Sequence, residues 1–160
     1  MTAPVARSTV EAFYEAYISR DPQRIGALLD DDVEWLVTGP AEVMQVCGSW
    51  YGKAAVIDRF ARVVPQIIDF KNLHVDHLLV DGDNAAMFGR ITCVNRHSGR
   101  LISHGVAHIV RFYDGKVVYF RVINDSLDAA EQFIGHPLDL SNDLDPVDTD
   151  LVVLPSSAGE

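Results

Sequence analysis

Beyond residue 66 the hydrophobic period of the chain changes from helical to strand-like, and this change restricts the fold more than any other feature. LHVDHLLV, NAAMFGRITCV, LISHGVAHIVRFY and KVVYFRVIN follow one another, separated only by DGD, NRHSG and DG. Short polar runs with turn residues between β-type segments predict four successive antiparallel strands. What precedes them is mainly helical. Ser8 and Glu11 match a capping box, and Val10, Phe13, Tyr14, Tyr17 and Ile18 recur at helical spacing. Asp21-Pro22 starts a second helix with Ile25, Leu28 and Leu29 as its stripe, ending in the acidic run Asp30 to Asp32.

VEWLV is a short strand, with Val33, Trp35 and Val37 on one face and Glu34 on the other. TGPAEVMQVCGSWYG is rich in turn residues yet carries Met44, Trp50 and Tyr51, which predicts a packed loop. A third helix is expected from about Lys53 to Val64, stopped by Pro65. A last helix is expected from Asp125 or Ser126, with Asp125 as its N-cap, through Leu127, Ala130, Phe133 and Ile134 to Gly135. Helices first and strands later make an α+β domain over residues 1–138, a curved antiparallel sheet wrapped around the N-terminal helices. Residues 139–160, with five aspartates and no apolar period, form an acidic tail in which LVVLP is a possible docking segment.

At 160 residues one domain is expected, and 48% hydrophobic against 22% charged residues is ordinary for a globular body. A formal charge of -10 without a basic stripe argues against nucleic acid and anionic membrane partners. The N-terminus resembles neither a signal nor a transit peptide and no stretch reaches spanning length, so the cytosol is the default. Cys47 and Cys93 are read as two packed thiols, although a single bridge stays open.

SHGVAHIVRF carries two histidines, His104 and His108, four residues apart. On a helix they would share a face and suit a metal. On a strand they lie about 13 Å apart, which excludes one ion between them. The hairpin FYDGK then has two readings. A two-residue Asp114-Gly115 turn pairs Tyr113 with Lys116 and sets His108 opposite Arg121. A three-residue loop with Gly115 in the left-handed bulge position pairs Phe112 with Lys116 and sets His108 opposite Phe120. The second is preferred, because Val106, His108, Val110 and Phe112 then share an apolar face with Val118, Phe120 and Val122, with His104 opposite Asn124 at its end. His108, mid-strand on that face, is either a satisfied core histidine or a proton-transfer group poised near neutral pH.

The segments FYEAYISRDPQRIGALLDDDVEW, CGSWYGKAAVIDRFARVV, VDGDNAAMFGRI and HIVRFYDGKVVYFRVINDS together resemble the SnoaL-like family of the nuclear transport factor 2-like superfamily. The likeness covers about residues 8–135. It implies the cone-shaped, cystatin-like α+β barrel of ketosteroid isomerases, with a pocket in the cone. His108 falls where SnoaL-type cyclases are similar in placing a histidine and the isomerases an aspartic acid. Tyr17 falls near a tyrosine of scytalone dehydratase-like members, and Asn124 ends the last strand on the pocket face. By the same resemblance Val122 replaces an aspartate of the cyclases and epoxide hydrolases, and Phe13 a tyrosine of the isomerases. The isomerase base falls near Val37, and Gly89 and Ile91 stand where the epoxide hydrolases have an arginine and a second aspartate.

The expectation is a small enzyme of isomerase, cyclase or dehydratase type that binds an apolar carbonyl compound without cofactor or metal. His108 would move the proton, with Tyr17, His104 and Asn124 orienting the substrate. Trp35, Trp50, Phe13, Val106, Val110, Phe120 and Val122 are the expected substrate contacts. Glu42, in the loop before the third helix, could reach the mouth, and only one of His74 and His77 would see the pocket. The competing expectation is a ligand-binding or dimerisation module without chemistry. Ile109, Tyr119 and Ile123, on the outer face of the same strands, are too apolar to leave in water and predict a homodimer through a symmetric contact.

Overall fold

A computed structural model describes residues 4–139. Of the expected acidic tail only Asp139 lies among them, so the remainder, with LVVLP, falls outside the described residues. Helix α1 (Arg7–Ser19) starts behind Ala6 with no side-chain cap. The expected capping box is therefore absent, and Glu11 instead pairs with Arg7 at 3.0 Å. Helix α2 (Pro22–Ala27) begins as expected, its N-cap Asp21 accepting from the amides of Gln23 and Arg24. It ends early. Leu29 and the acidic run belong to strand β1 (Leu29–Thr38), where Leu29 and Val33 are buried and Asp31 and Asp32 face solvent.

The segment expected as a loop before the third helix contains a short strand, β2 (Gly48–Tyr51), paired antiparallel with β1 through Trp35 and Trp50. Helix α3 (Lys53–Asp58) does not stop at Pro65. It runs through a π-helical turn over Arg59–Val63 into α4 (Val64–Ile67). The wider turn restarts the ladder so that Pro65 falls in a first turn, where an absent N–H costs nothing.

Strands β3 (Ile68–Asp81), β4 (Asn84–Asn95), β5 (Leu101–Tyr113) and β6 (Lys116–Asn124) form the expected antiparallel meander. Helix α5 (Ser126–Ile134) closes the described chain, with Asp125 at the N-cap position but making no side-chain cap bond. The sheet order is β2-β1-β6-β5-β4-β3. One pair departs from the antiparallel expectation: β1 runs parallel to β6, with Trp35 beside Phe120 and Val37 beside Val122.

The β5–β6 register differs from both readings of the hairpin. Asp114 and Gly115 form a two-residue turn, both with positive φ (48° and 72°), the combination that matches the twist of flanking strands. Tyr113 accordingly pairs with Lys116, against the preferred three-residue loop. A bulge then leaves Val118 unpaired between Val117 and Tyr119, and from there His108 lies opposite Val122 and Val106 opposite Asn124. The extra residue lets Val117 and Phe120 both point inward, so Val117 takes the core place expected of Val118. The inward faces otherwise stand as expected, with Val106, His108, Val110, Phe112, Phe120 and Val122 all buried.

Irregularities in β3 at Lys71 and Asp76 bend the sheet. The second puts His74 and His77 on the same outer face, where both are exposed, so neither sees the interior. Gly89 lies under this bend: a Cβ there would meet the His74 carbonyl oxygen at 2.1 Å, so only glycine admits the close approach of β3.

Two apolar clusters fill the concave side. The larger gathers Phe13, Tyr14 and Tyr17 of α1 with Trp35, Phe112 and Phe120, and Phe13 alone meets five aromatic rings within 6.4 Å. The smaller joins Met44, Cys47, Ile68, Cys93, Ile102, Ala129 and Phe133 at the other end. Cys47 and Cys93 are both free and buried, and burial pushes each thiol up to about 11. Among the described residues no helix is long and apolar enough to cross a membrane.

Candidate functional site

Between the two clusters the sheet encloses a cavity of about 70 Å³, open at one end. Six expected residues line it: Tyr17, Trp35, Trp50, His104, Val122 and Asn124. Five do not. Phe13, Val106, His108, Val110 and Phe120 sit in the narrow end of the cone, which the aromatic side chains of α1 fill. Both histidines face inward, but His104 lies two inward positions nearer the open end of β5.

His108 is 1% exposed. Its ring stacks on Tyr14 at 5.9 Å and meets Tyr17 at 5.4 Å and Phe120 at 4.9 Å, edge to face. Neither ring nitrogen has a hydrogen-bond partner among the described residues. Burial, with a smaller push from the Arg20 charge, holds its pKa down at about 3. The buried Tyr14 hydroxyl above it is also unpartnered, and burial raises its pKa. This is a dry, neutral imidazole behind the wall of the cavity, out of a ligand's reach.

His104 is the histidine of the cavity. Its Nε2 lies 3.0 Å from Asn124 Oδ1, and Asn124 Nδ2 donates to the Thr38 carbonyl at 2.6 Å. A carbonyl only accepts, so the Asn124 amide is fixed with its oxygen toward the ring, and neutral His104 must carry its proton on Nε2. The pair is diagonal rather than opposite, because Asn124 has Val106 as its ladder partner. Nδ1 is then a bare lone pair, and no described residue satisfies it. Burial lowers the His104 pKa below the usual imidazole value, against smaller opposing effects of Asn124, Asp128 and Asp125. At neutral pH the ring is a free base with a fixed tautomer.

The rest of the lining is apolar and aromatic, with Met44, Val56, Phe60, Ile91, Cys93 and Phe133 beside the two tryptophans. Among the described residues no aspartate or glutamate reaches the wall, Glu42 included. Two arginines do, and the sequence reading missed both. Arg20 is the C-cap of α1, in the left-handed conformation (φ 56°), and Arg59 stacks over Trp50 at 3.7 Å while donating to the Gln45 carbonyl. Helical spacing gives no signal for Arg20, because the backbone leaves the helix at that residue. No group of three or more histidine, cysteine or acidic side chains among the described residues is placed to hold a metal ion.

Solved structures share the fold. A candidate isomerase from Rhodopseudomonas palustris is 24% identical, with a TM-score of 0.73 over 82% of this chain and 100% of its own. TerC, crystallised with polyporic acid, is 21% identical, with a TM-score of 0.67 over 79% of this chain and 96% of its own. An M. tuberculosis LEH-like epoxide hydrolase is 17% identical, with a TM-score of 0.64 over 80% and 88% of the two chains. No curated protein matches the chain. The SnoaL-like domain family matches residues 10–120, which takes in most of α1, the whole of β1, the strand that bears both histidines and the first part of β6. With that match and the cone-shaped sheet together, the chain belongs to the SnoaL-like domain family.

Proposed function

We propose that the protein is a small enzyme that moves a proton on an apolar carbonyl compound held in the cone, in an isomerase, cyclase or dehydratase type of reaction. The observation that carries this reading is His104 Nδ1, an unpartnered lone pair on a ring of fixed tautomer in the wall of an apolar cavity. Its lowered pKa leaves it unprotonated at neutral pH, as a general base requires. Asn124 and the Thr38 carbonyl position the ring, and Tyr17, in the wall of the same cavity, is the hydroxyl that would donate to the substrate oxygen. His108, the group expected from the sequence to move the proton, is assigned to the core on account of its enclosure.

A panel of enolisable ketones and polyketide-like compounds tests the reading. Turnover of at least one is expected, with kcat/KM rising with pH through a His104 pKa below 6.5 and level through neutrality. No turnover across the panel, alongside apolar ligands that raise Tm, would leave a binding module in its place.

The outer face of the sheet supports a homodimer. Leu79, Ala86 and Ile109 are ladder neighbours across three strands, and so are Phe88, Ala107 and Ile123 across β4 to β6. Leu79 is 67% and Phe88 55% exposed. Two adjoining apolar rows on a face whose backbone is already paired fit a second copy of the same face about a two-fold axis. Size-exclusion with light scattering at micromolar concentration is expected to give twice the chain mass, and a monomer there would sink the proposal.

A further inference from the structure

The guanidinium of Arg20 is held among three rings, 4.2 Å over Tyr17, 5.5 Å over Phe60 and 3.8 Å over Phe70. Aromatic faces satisfy its charge but not its N–H donors. Nε and Nη2 are both buried, and neither has an acceptor among the described residues. These two atoms form one edge of the planar group, the edge that grips a carboxylate through two parallel hydrogen bonds. Arg20 lines the cavity and also an adjoining groove that contains Asp69. Asp69 is not its counter-ion: it pairs with Lys71 at 2.6 Å and lies 4.0 Å from Arg96. In a chain of formal charge -10, the cavity wall thus carries two guanidinium groups and, among the described residues, no carboxylate.

We propose that the ligand of this cavity bears a carboxylate, seated on the Nε/Nη2 edge of Arg20, with its apolar body against Trp35, Phe60 and Val122. Folding has already stripped this edge of water, so the dehydration that normally offsets an ion pair is largely met before the ligand arrives. The inference rests on reading the cavity as a small-ligand site and narrows the carbonyl compound to a carbonyl acid.

The probes are 2-naphthoate and its neutral isostere 2-naphthamide, measured by calorimetry on the full chain. The wild type is expected to bind the naphthoate on the order of tenfold more tightly, and Arg20→Met to remove that preference while leaving naphthamide affinity within about twofold. Arg20→Lys is expected to keep a smaller preference, because a point charge lacks the fork. If Arg20→Met does not fold, the wild-type comparison and Arg20→Lys still decide. Equal affinity of the two probes in the wild type, binding of neither at millimolar concentration, or an undiminished preference in Arg20→Met would each overturn the proposal. Because the readout is binding, a protein that prefers naphthoate but turns nothing over fails the proton-transfer reading alone. A protein that turns over ketones without that preference fails this inference alone.

Discussion

Replacing His104 by alanine is expected to lower turnover of any substrate found by about 10²- to 10⁴-fold, the usual weight of one general base. The loss should fall on kcat, because the ring contributes a lone pair to the reacting proton rather than area to binding. Asn124→Ala is expected to lie between wild type and His104→Ala. It leaves the imidazole in place but removes the acceptor that keeps the proton on Nε2, so a fraction of the rings would present an N–H where a lone pair is needed. That intermediate loss should come with a changed lower limb in the pH profile, which a purely structural role for Asn124 would not produce. A His104→Ala protein with a wild-type Tm and kcat/KM within about tenfold of wild type would remove His104 from the chemistry.

Acidification from pH 7 to pH 4 is expected to cost the fold about 3 kcal/mol through His108 alone. Its folded pKa, about 3, lies below the unfolded value of 6.5. Above 6.5 the ring is neutral in both states and its contribution is fully present. Below it the unfolded chain takes up a proton that the folded chain refuses until about pH 3, so stability falls as the pH drops through that window. His108→Leu keeps nearly the same volume and removes two unpartnered nitrogens. It is expected to be more stable than wild type by about 1 kcal/mol at pH 7 and about 4 at pH 4. Urea denaturation of both proteins at the two pH values isolates the effect, because other titrating groups are common to both. A gap of the same size at pH 7 and pH 4 would show that His108 is not the group refusing the proton.

The strand faces were legible because period-two alternation survives wherever a ladder is regular. Val106, His108, Val110 and Phe112 could be assigned inward from spacing alone. Helix α2 was legible for a local reason, since Asp21 before Pro22 caps and pre-sets its first turn. What escaped was set at a distance or by a single residue. A bulge such as that at Val118 adds one residue without a compositional mark, and it moved the partner of His108 to Val122. The parallel partnership of β1 with β6 joins segments at opposite ends of the domain, which no short-range pattern reports. Depth was likewise invisible. Period two says that His104 and His108 both face inward, but only the docking of α1 decides which of them is entombed and which meets a cavity. Arg20, a cation at a helix end, reads as solvated until the rings of Phe60 and Phe70 are seen around it.

The parallel β1–β6 pair also bears on assembly. It brings Trp35 beside Phe120 and Val37 beside Val122 across most of the chain, whereas each pair within the meander closes over a short turn. Contacts of long sequence separation carry the larger loop-closure cost. One wall of the cavity is shared between the two strands, Trp35 and Val37 arriving on β1 and Val122 and Asn124 beside them on β6. Any partly folded form without that pairing can therefore hold an ordered meander and still have no binding site, so ligand binding reports on completed folding rather than on secondary structure.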